Sequence, residues 1–350
     1  MNNVFCILMK GAFTMDIKQT VIALSEVSGT SGNEEAAAQL ALSMLRQYTP
    51  DASVVNGNVI GRFGVHTDGL PSLVLDAHID QIGFVVTYIT DEGFVKVGSV
   101  GGIDRRLLPA QPVIIHGNQN IKGVICSVPP HLSHGSSEVL SIEDVAIDTG
   151  MSKSELEQFI SIGDSITFDV SCRQLIGSRI TGGALDDRCG IASVLRALEL
   201  LAGAKTAYNV TVVFSTQEEV GERGAKIGAF TVSPDIALAV DVSFAYAIGE
   251  NERNCGYLGK GPMIGISPSL SREISDKLIE TAKKASVPYQ LEVMSGLTST
   301  NADRYSVNRE GAKTCTVSIP LRNMHTPVEV IDLSDIETTA QLLAAFIKEG

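Results

Sequence analysis

Acids and imidazoles recur in this chain where apolar runs stop. The stretches are DAHID (76–80), GALDDRCG (183–190), FSTQEEVG (214–221) and LAVDVS (238–243), and NMHTPVE (323–329) supplies a late histidine. His78, Asp186, Glu219, Asp241 and His325 together make a set of imidazoles and carboxylates of the kind that holds a pair of divalent metals. Glu218 is left beside that set as a candidate general base. Paired metals polarise a carbonyl and lower the pKa of water, and a spare carboxylate accepts the proton, so the chemistry indicated is hydrolysis.

Each motif also has a plainer use. His78-x-Asp80 is commonly a structural hydrogen-bonded pair. In the sharper reading His78 binds metal and Asp80, two residues on along the same strand face, orients its imidazole. Asp186-Asp187 can cap the helix that follows, or one of the two can bridge metals, and Asp186 is chosen for the bridge. Glu218-Glu219 follows a fully apolar strand, where adjacent like charges repel and a cation would relieve them. Asp241 closes the apolar run IALAV, and a buried carboxylate needs a partner such as a cation. His325 alone is a weak signal. His131 and His134, in PPHLSH, are read as loop residues outside the site. Gly182, Gly183, Gly221 and Gly224 flank strand-to-helix turns and none forms a nucleotide-binding GxGxxG, so they read as scaffold.

The elements that must position these groups show in the apolar pattern. Residues 15 to 27 have helical spacing, and Ser31 or Asn33 would cap a second helix through EEAAAQLALSMLRQY. Residues 53 to 64 and 72 to 80 read as strands, the second a continuous apolar run typical of a sheet buried on both faces. From 84 to 174 the texture changes to short β segments between turn signals, with one short helix at SKSELEQF, which suggests a small inserted β-rich domain. Helix and strand then alternate: CGIASVLRALELLA, NVTVVFST, GERGAKIGAF, DIALAVD, SREISDKLIETAKKA, KTCTVSI and a closing helix from Ser334. That alternation predicts an α/β fold with a mixed or parallel sheet and helices on both faces. Carboxyl ends of strands in such sheets converge on one crevice, so acids far apart in sequence can meet.

Composition narrows the function classes. A chain of 350 residues with 44% apolar content can bury a large core. Its net charge of −13, with no Lys/Arg-rich run, argues against a nucleic-acid partner. Six scattered cysteines without a CxxC pair suggest a reducing, cytoplasmic setting and no thiolate zinc site. No stretch reaches the length of a membrane span, so no membrane partner is expected. Residues 1 to 14 read as a tail, with Met15 an alternative start.

In combination, SGTSGNE, AHIDQIGF, GVICSVPPH, GGALDDRCG, STQEEVGERGA, AVDVS and NMHTPVEVI resemble the glutamyl, deblocking and tetrahedral aminopeptidase family of co-catalytic metallopeptidases. The likeness covers the chain from residue 15 onward. It implies a phosphorylase/hydrolase-like three-layer sandwich over 15–83 and 175–350, interrupted by a small PDZ-like β-barrel over 84–174. It also implies that His78 and Asp241 hold one metal and Glu219 and His325 the other, with Asp186 bridging. Glu218 would then be the base, Asp80 the orienter, and Asp187 would flank the bridge through a peptide bond often cis in that family. The long gap between His78 and Asp186 leaves room for the insert, which favours the aminopeptidase branch over the dimeric carboxypeptidase type. Gln81 is a departure, because relatives commonly carry Glu after HxD.

The expected activity is therefore removal of N-terminal residues from peptides with a free N-terminus, using two divalent metal ions per subunit, with zinc first and cobalt or manganese equally compatible. Self-assembly through the insert, from dimers to twelve subunits in a tetrahedral shell, is implied by the same likeness. Two rivals are a metal-dependent deacylase or esterase acting on non-peptide amides, and a non-catalytic metal-binding assembly protein. Glu218 speaks against the latter, since a structural site has no use for a spare carboxylate.

Overall fold

The computed structural model describes residues 14–128 and 139–350. The readings for residues 1–13 of the tail and for His131 and His134 fall outside these residues.

Eight strands form the main sheet in the spatial order Ser53–Val55, Asn58–Phe63, Asn209–Ser215, Ser72–His78, Ile236–Phe244, Lys313–Leu321, Met263–Ile266, Gln290–Val293. The central strands, from Asn209–Ser215 to Lys313–Leu321, run parallel. Antiparallel neighbours flank them on both sides, so the sheet is mixed. Their apolar runs are continuous because both faces are covered. Leu73, Leu75 and Ala77 pack with Leu195, Leu198 and Phe346 on one face. Val74, Val213 and Ala237 meet Ala225, Ala229 and Tyr305 on the other. The helices Ile17–Ser25, Glu35–Leu45, Leu185–Leu200, Arg272–Ala285 and Leu333–Glu349 contribute to the first core, and Arg223–Val232 and Ala302–Ser306 to the second. Each fully buried Leu or Val is worth about 1.5–3 kcal/mol. The cores therefore supply free energy that offsets a charged site at the carboxyl ends of the central strands.

A closed barrel follows the strand that ends at His78. Its order is Gly83–Ile89, Val95–Val100, Ala146–Asp148, Asn120–Ile125, Pro112–His116, Ser165–Phe168. Alternate residues, among them Phe84, Val97, Ile115, Ile147 and Ile166, fill a separate core. Closure leaves no free edge to aggregate.

Several local expectations change. Neither Ser31 nor Asn33 caps the second helix: Glu34 precedes it without a side-chain cap bond. The Ser31 hydroxyl instead donates to Asp80 and the Asn33 amide to Ser165, so tertiary partners outcompete the helix end. The strand at 72 ends at His78 rather than residue 80. The short strands Met263–Ile266 and Gln290–Val293 complete the sheet, and Arg179–Gly182 pairs with Glu329–Asp332 and Arg173–Gln174 in a smaller sheet of its own.

Candidate metal centre

His78 is the last residue of its strand and pairs with Ser215, the last residue of the neighbouring strand, so the loop carrying Glu218 and Glu219 starts beside it. On the other side, Ala239 pairs with Asp76, which brings Asp241, two residues further on, alongside His78. Asp186 follows the Arg179–Gly182 strand through Ala184, whose φ is +55°, and the Asp186–Asp187 peptide bond is cis. His325 lies in the turn after Lys313–Leu321 with φ +60°. Left-handed backbone at non-glycine residues costs on the order of 1–2 kcal/mol each, so contacts around the site must hold these loops in place.

The candidate side chains converge. His78 Nε2 lies 3.0 Å from Asp186 Oδ1 and 3.8 Å from Asp241 Oδ1. His325 Nε2 lies 3.3 Å from Glu219 Oε1 and 3.5 Å from Asp186 Oδ2. Ligand atoms of His78, Asp186 and Asp241 all fall within 4.8 Å of one another, as do those of Asp186, Glu219 and His325, so two donor triads share Asp186. Glu218 lines the same cleft, whose volume is about 690 Å³.

The surrounding hydrogen bonds fix this arrangement. Asp80 is buried; its Oδ1 accepts from the Glu218 N–H at 2.9 Å, and its Oδ2 accepts from the Glu219 N–H at 3.1 Å and the Ser31 hydroxyl at 2.6 Å. His78 Nδ1 is 3.1 Å from the Asp80 carbonyl oxygen and 3.6 Å from its carboxylate. Asp80 thus touches the ring, while its carboxylate chiefly anchors the glutamate loop. Since a carbonyl can only accept, Nδ1 carries a proton, so a ring that gave up the proton on Nε2 would turn that lone pair toward two carboxylates. Asp187 accepts from the His78 N–H and, at the start of the helix, from the Gly190 N–H. It therefore serves as the cap that Asp186 does not supply.

Two contributors escape sequence reasoning. Glu329 is buried and accepts from the N–H groups of Leu185, Asp186 and His325, tying two loops of the site together. It stood inside the NMHTPVE stretch, four residues after His325, but a carboxylate that binds only main chain leaves no distinctive signal. Gly102, beyond the barrel strand Val95–Val100, comes so close that a Cβ there would sit 3.0 Å from His325 Nδ1. Gln81 is not among the described residues that line the cleft; its side-chain oxygen is buried and has no hydrogen-bond partner among the described residues.

The charges of the cluster conflict. Burial raises Glu218 to about 9, with Asp241 and Glu219 adding to the rise against the pull of His78. Burial raises Asp241 to about 8, and Glu219 is raised by the same cause. Burial opposes a charge on His325, but Asp186 and Glu219 override it and raise the ring to about 11. Asp186 is pushed far below the carboxylate range by the two histidines, despite its burial. Without an added cation, the site balances itself by protonating its rings and some of its acids. A lone pair and several carboxylates aimed at shared points are what divalent cations would satisfy, so the residues fit metal ions.

Comparison with known proteins agrees with this geometry. The family model described as M42 glutamyl aminopeptidase matches residues 57–342. The lysyl aminopeptidase of Pyrococcus furiosus is 30% identical over 332 residues, covering 93% of this chain and 94% of that one. An aminopeptidase from the archaeon Desulfurococcus kamchatkensis superposes with TM-score 0.90 at 35% identity, covering 95% of each chain. The Pyrococcus horikoshii TET1 peptidase superposes with TM-score 0.84 at 31% identity, covering 95% of this chain and 100% of that one. With the fold, the cleft and the sequence match extending over the same residues, the chain belongs to the M42 glutamyl aminopeptidase family and is a peptide-bond hydrolase.

Proposed function

We propose that this protein is a dinuclear metal aminopeptidase in which His78 and Asp241 hold one ion, Glu219 and His325 the other, and Asp186 both. The observation that supports this reading is the pair of donor triads meeting at one aspartate. Bound ions would supply Lewis acidity toward the scissile carbonyl and a water of lowered pKa. Imidazole and carboxylate donors suit zinc, cobalt or manganese.

Glu218 is the general base. It lines the cleft without a place in either triad, and the Asp80 bond to its main-chain N–H fixes where it stands. Cations held by the neighbouring ligands would draw its raised pKa back down, and its carboxylate then takes the proton from the attacking water and delivers it to the departing amine, which cannot leave as an anion. The surrounding carboxylates favour a substrate whose α-amine is protonated. The barrel acts as a PDZ-like assembly module in a cytoplasmic homo-oligomer. The TET1 relative can assemble into a tetrahedron or a large octahedral shell, and twelve copies in a tetrahedral shell are the assembly proposed here.

The test is a panel of aminoacyl-nitroanilides, N-acetylated peptides and simple esters with metal-loaded protein. Free-amine substrates should turn over and capped ones should not. Glu218→Gln should lower kcat by about 10²–10⁴-fold. Turnover of capped substrates alone would move the protein to the deacylases, and an unchanged kcat would remove Glu218 as base.

A further inference from the structure

The strand Gln290–Val293 closes one edge of the sheet and sends Glu292 into the same cleft as the metal centre. One carboxylate oxygen accepts from the Ser318 hydroxyl at 2.8 Å and the other from the Ser243 hydroxyl. Both serines belong to the strands that build the centre. Ser318 is the register partner of Asp241, and Ser243 follows Asp241 by two residues on the same face. Neighbouring strands lie about 4.8 Å apart and residues i and i+2 about 6.7 Å apart, so Glu292 is held about one side chain's reach from the ligands.

Two hydroxyls leave this carboxylate short of partners. It offers about four acceptor positions, and among the described residues two are used. Among the described residues no cation contributes to its environment, and burial is the main influence on it, raising its pKa. A partly buried acid bonded only to neutral donors carries a desolvation cost that an arriving cation would offset. The rest of the cleft suits an apolar stem: Phe244, Met263, Met294 and Leu297 line it. The other acid on that lining outside the centre, Glu222, is engaged by Arg304 at 3.0 Å. Arg253 also lines the cleft but is exposed to solvent, where its charge is screened.

We propose that Glu292 receives the ammonium or guanidinium of the substrate's first side chain, so that the enzyme prefers peptides beginning with lysine or arginine. This rests on the aminopeptidase reading of the centre and adds the substrate class. A long methylene stem against apolar walls with a charged tip at a carboxylate is the packing those side chains use.

The experiment compares lysyl- and norleucyl-nitroanilide, which share the stem and differ in the ammonium, on full-length metal-loaded protein. The wild type is expected to favour lysine in kcat/KM by at least about ten-fold. In Glu292→Gln the ratio should fall close to one, mainly through KM for the lysyl substrate, while Glu292→Asp should keep part of the preference. A wild type without preference, or a Gln variant that loses both substrates equally, would overturn the assignment. The wild-type ratio decides the matter even where a variant folds poorly. Turnover of neither substrate, nor of any other with a free amine, would remove the aminopeptidase reading and this assignment with it.

Discussion

Glu329 shows how one side chain can set a site without entering it. Three main-chain N–H groups from two loops end on its carboxylate, at 2.8 Å for Leu185, 3.2 Å for Asp186 and 3.1 Å for His325. In Glu329→Gln, an NH2 group replaces one of those acceptors and faces a buried N–H. A buried donor left unsatisfied costs about 1–3 kcal/mol, equivalent to a loss of several degrees in Tm for a chain of this size. Asp186 and His325 would also lose their common anchor, and loss of such supporting bonds typically weakens metal binding about 10–100-fold. Calorimetric metal titration beside thermal melting should show both effects, with chelation lowering the Tm of the wild type more than that of the variant. Unchanged affinity would mean that the loops keep their places by backbone packing alone.

Among elements, the closing helix Leu333–Glu349 depends on an acid of its first turn. Asp335 is fully buried and accepts from the N–H groups of Gly259 and Gly261, which fastens the loop before the Met263–Ile266 strand to the helix. Burial raises its pKa to about 6 against the pull of those two donors. The folded chain thus holds this proton more tightly than the unfolded chain. The contribution is fully present below the ordinary value of 3.8 and is lost as pH rises through about 6, by an amount on the order of 3 kcal/mol. Urea unfolding at pH 4.5 and 7.5 should show Asp335→Asn losing less stability over that interval than the wild type. Equal losses would place the pH dependence elsewhere. This connection was invisible in sequence, unlike the long strands. Their apolar runs spelled out the centre of the sheet and put His78 and Asp241 at its crevice, because burial on both faces leaves no polar alternation to confuse the reading. Met263–Ile266 and Gln290–Val293 are too short to show a period, and what makes them strands is the partner beside them. The same limit hid Glu292, whose meaning comes from serines on two other strands, whereas the paired acids of QEEVG and LDDRCG stood out because two adjacent like charges exceed what a loop or a helix cap requires.

At the scale of the molecule, the inserted barrel poses a question of surface. Its interior is closed around Phe84, Ile115 and Ile166, yet Tyr88, Val124 and Ile162 stay exposed at 51%, 48% and 68%. Such side chains add nothing to the barrel's own core; Tyr88 and Val124 stand on strands from opposite sides of the barrel, so a partner would meet them one side at a time. A second copy is the partner that the proposed assembly supplies, and a specific interface would bury about 1,000 Å² or more. Repulsion works against it, since each copy carries −13. Salt should therefore favour association, because charges further apart than about 10 Å are screened at 0.1 M ionic strength while apolar contacts are not. Light scattering at micromolar concentration should give about twelve times the 37.1 kDa of one chain at 0.15 M salt and smaller species near 0.01 M. Val124→Lys together with Ile162→Asp, which alter two separate sides of the barrel, should shift the high-salt mass toward the small species if either side is the contact. A wild type that stays at the mass of one chain at every ionic strength would leave these side chains without a partner and would remove the shell from the proposal.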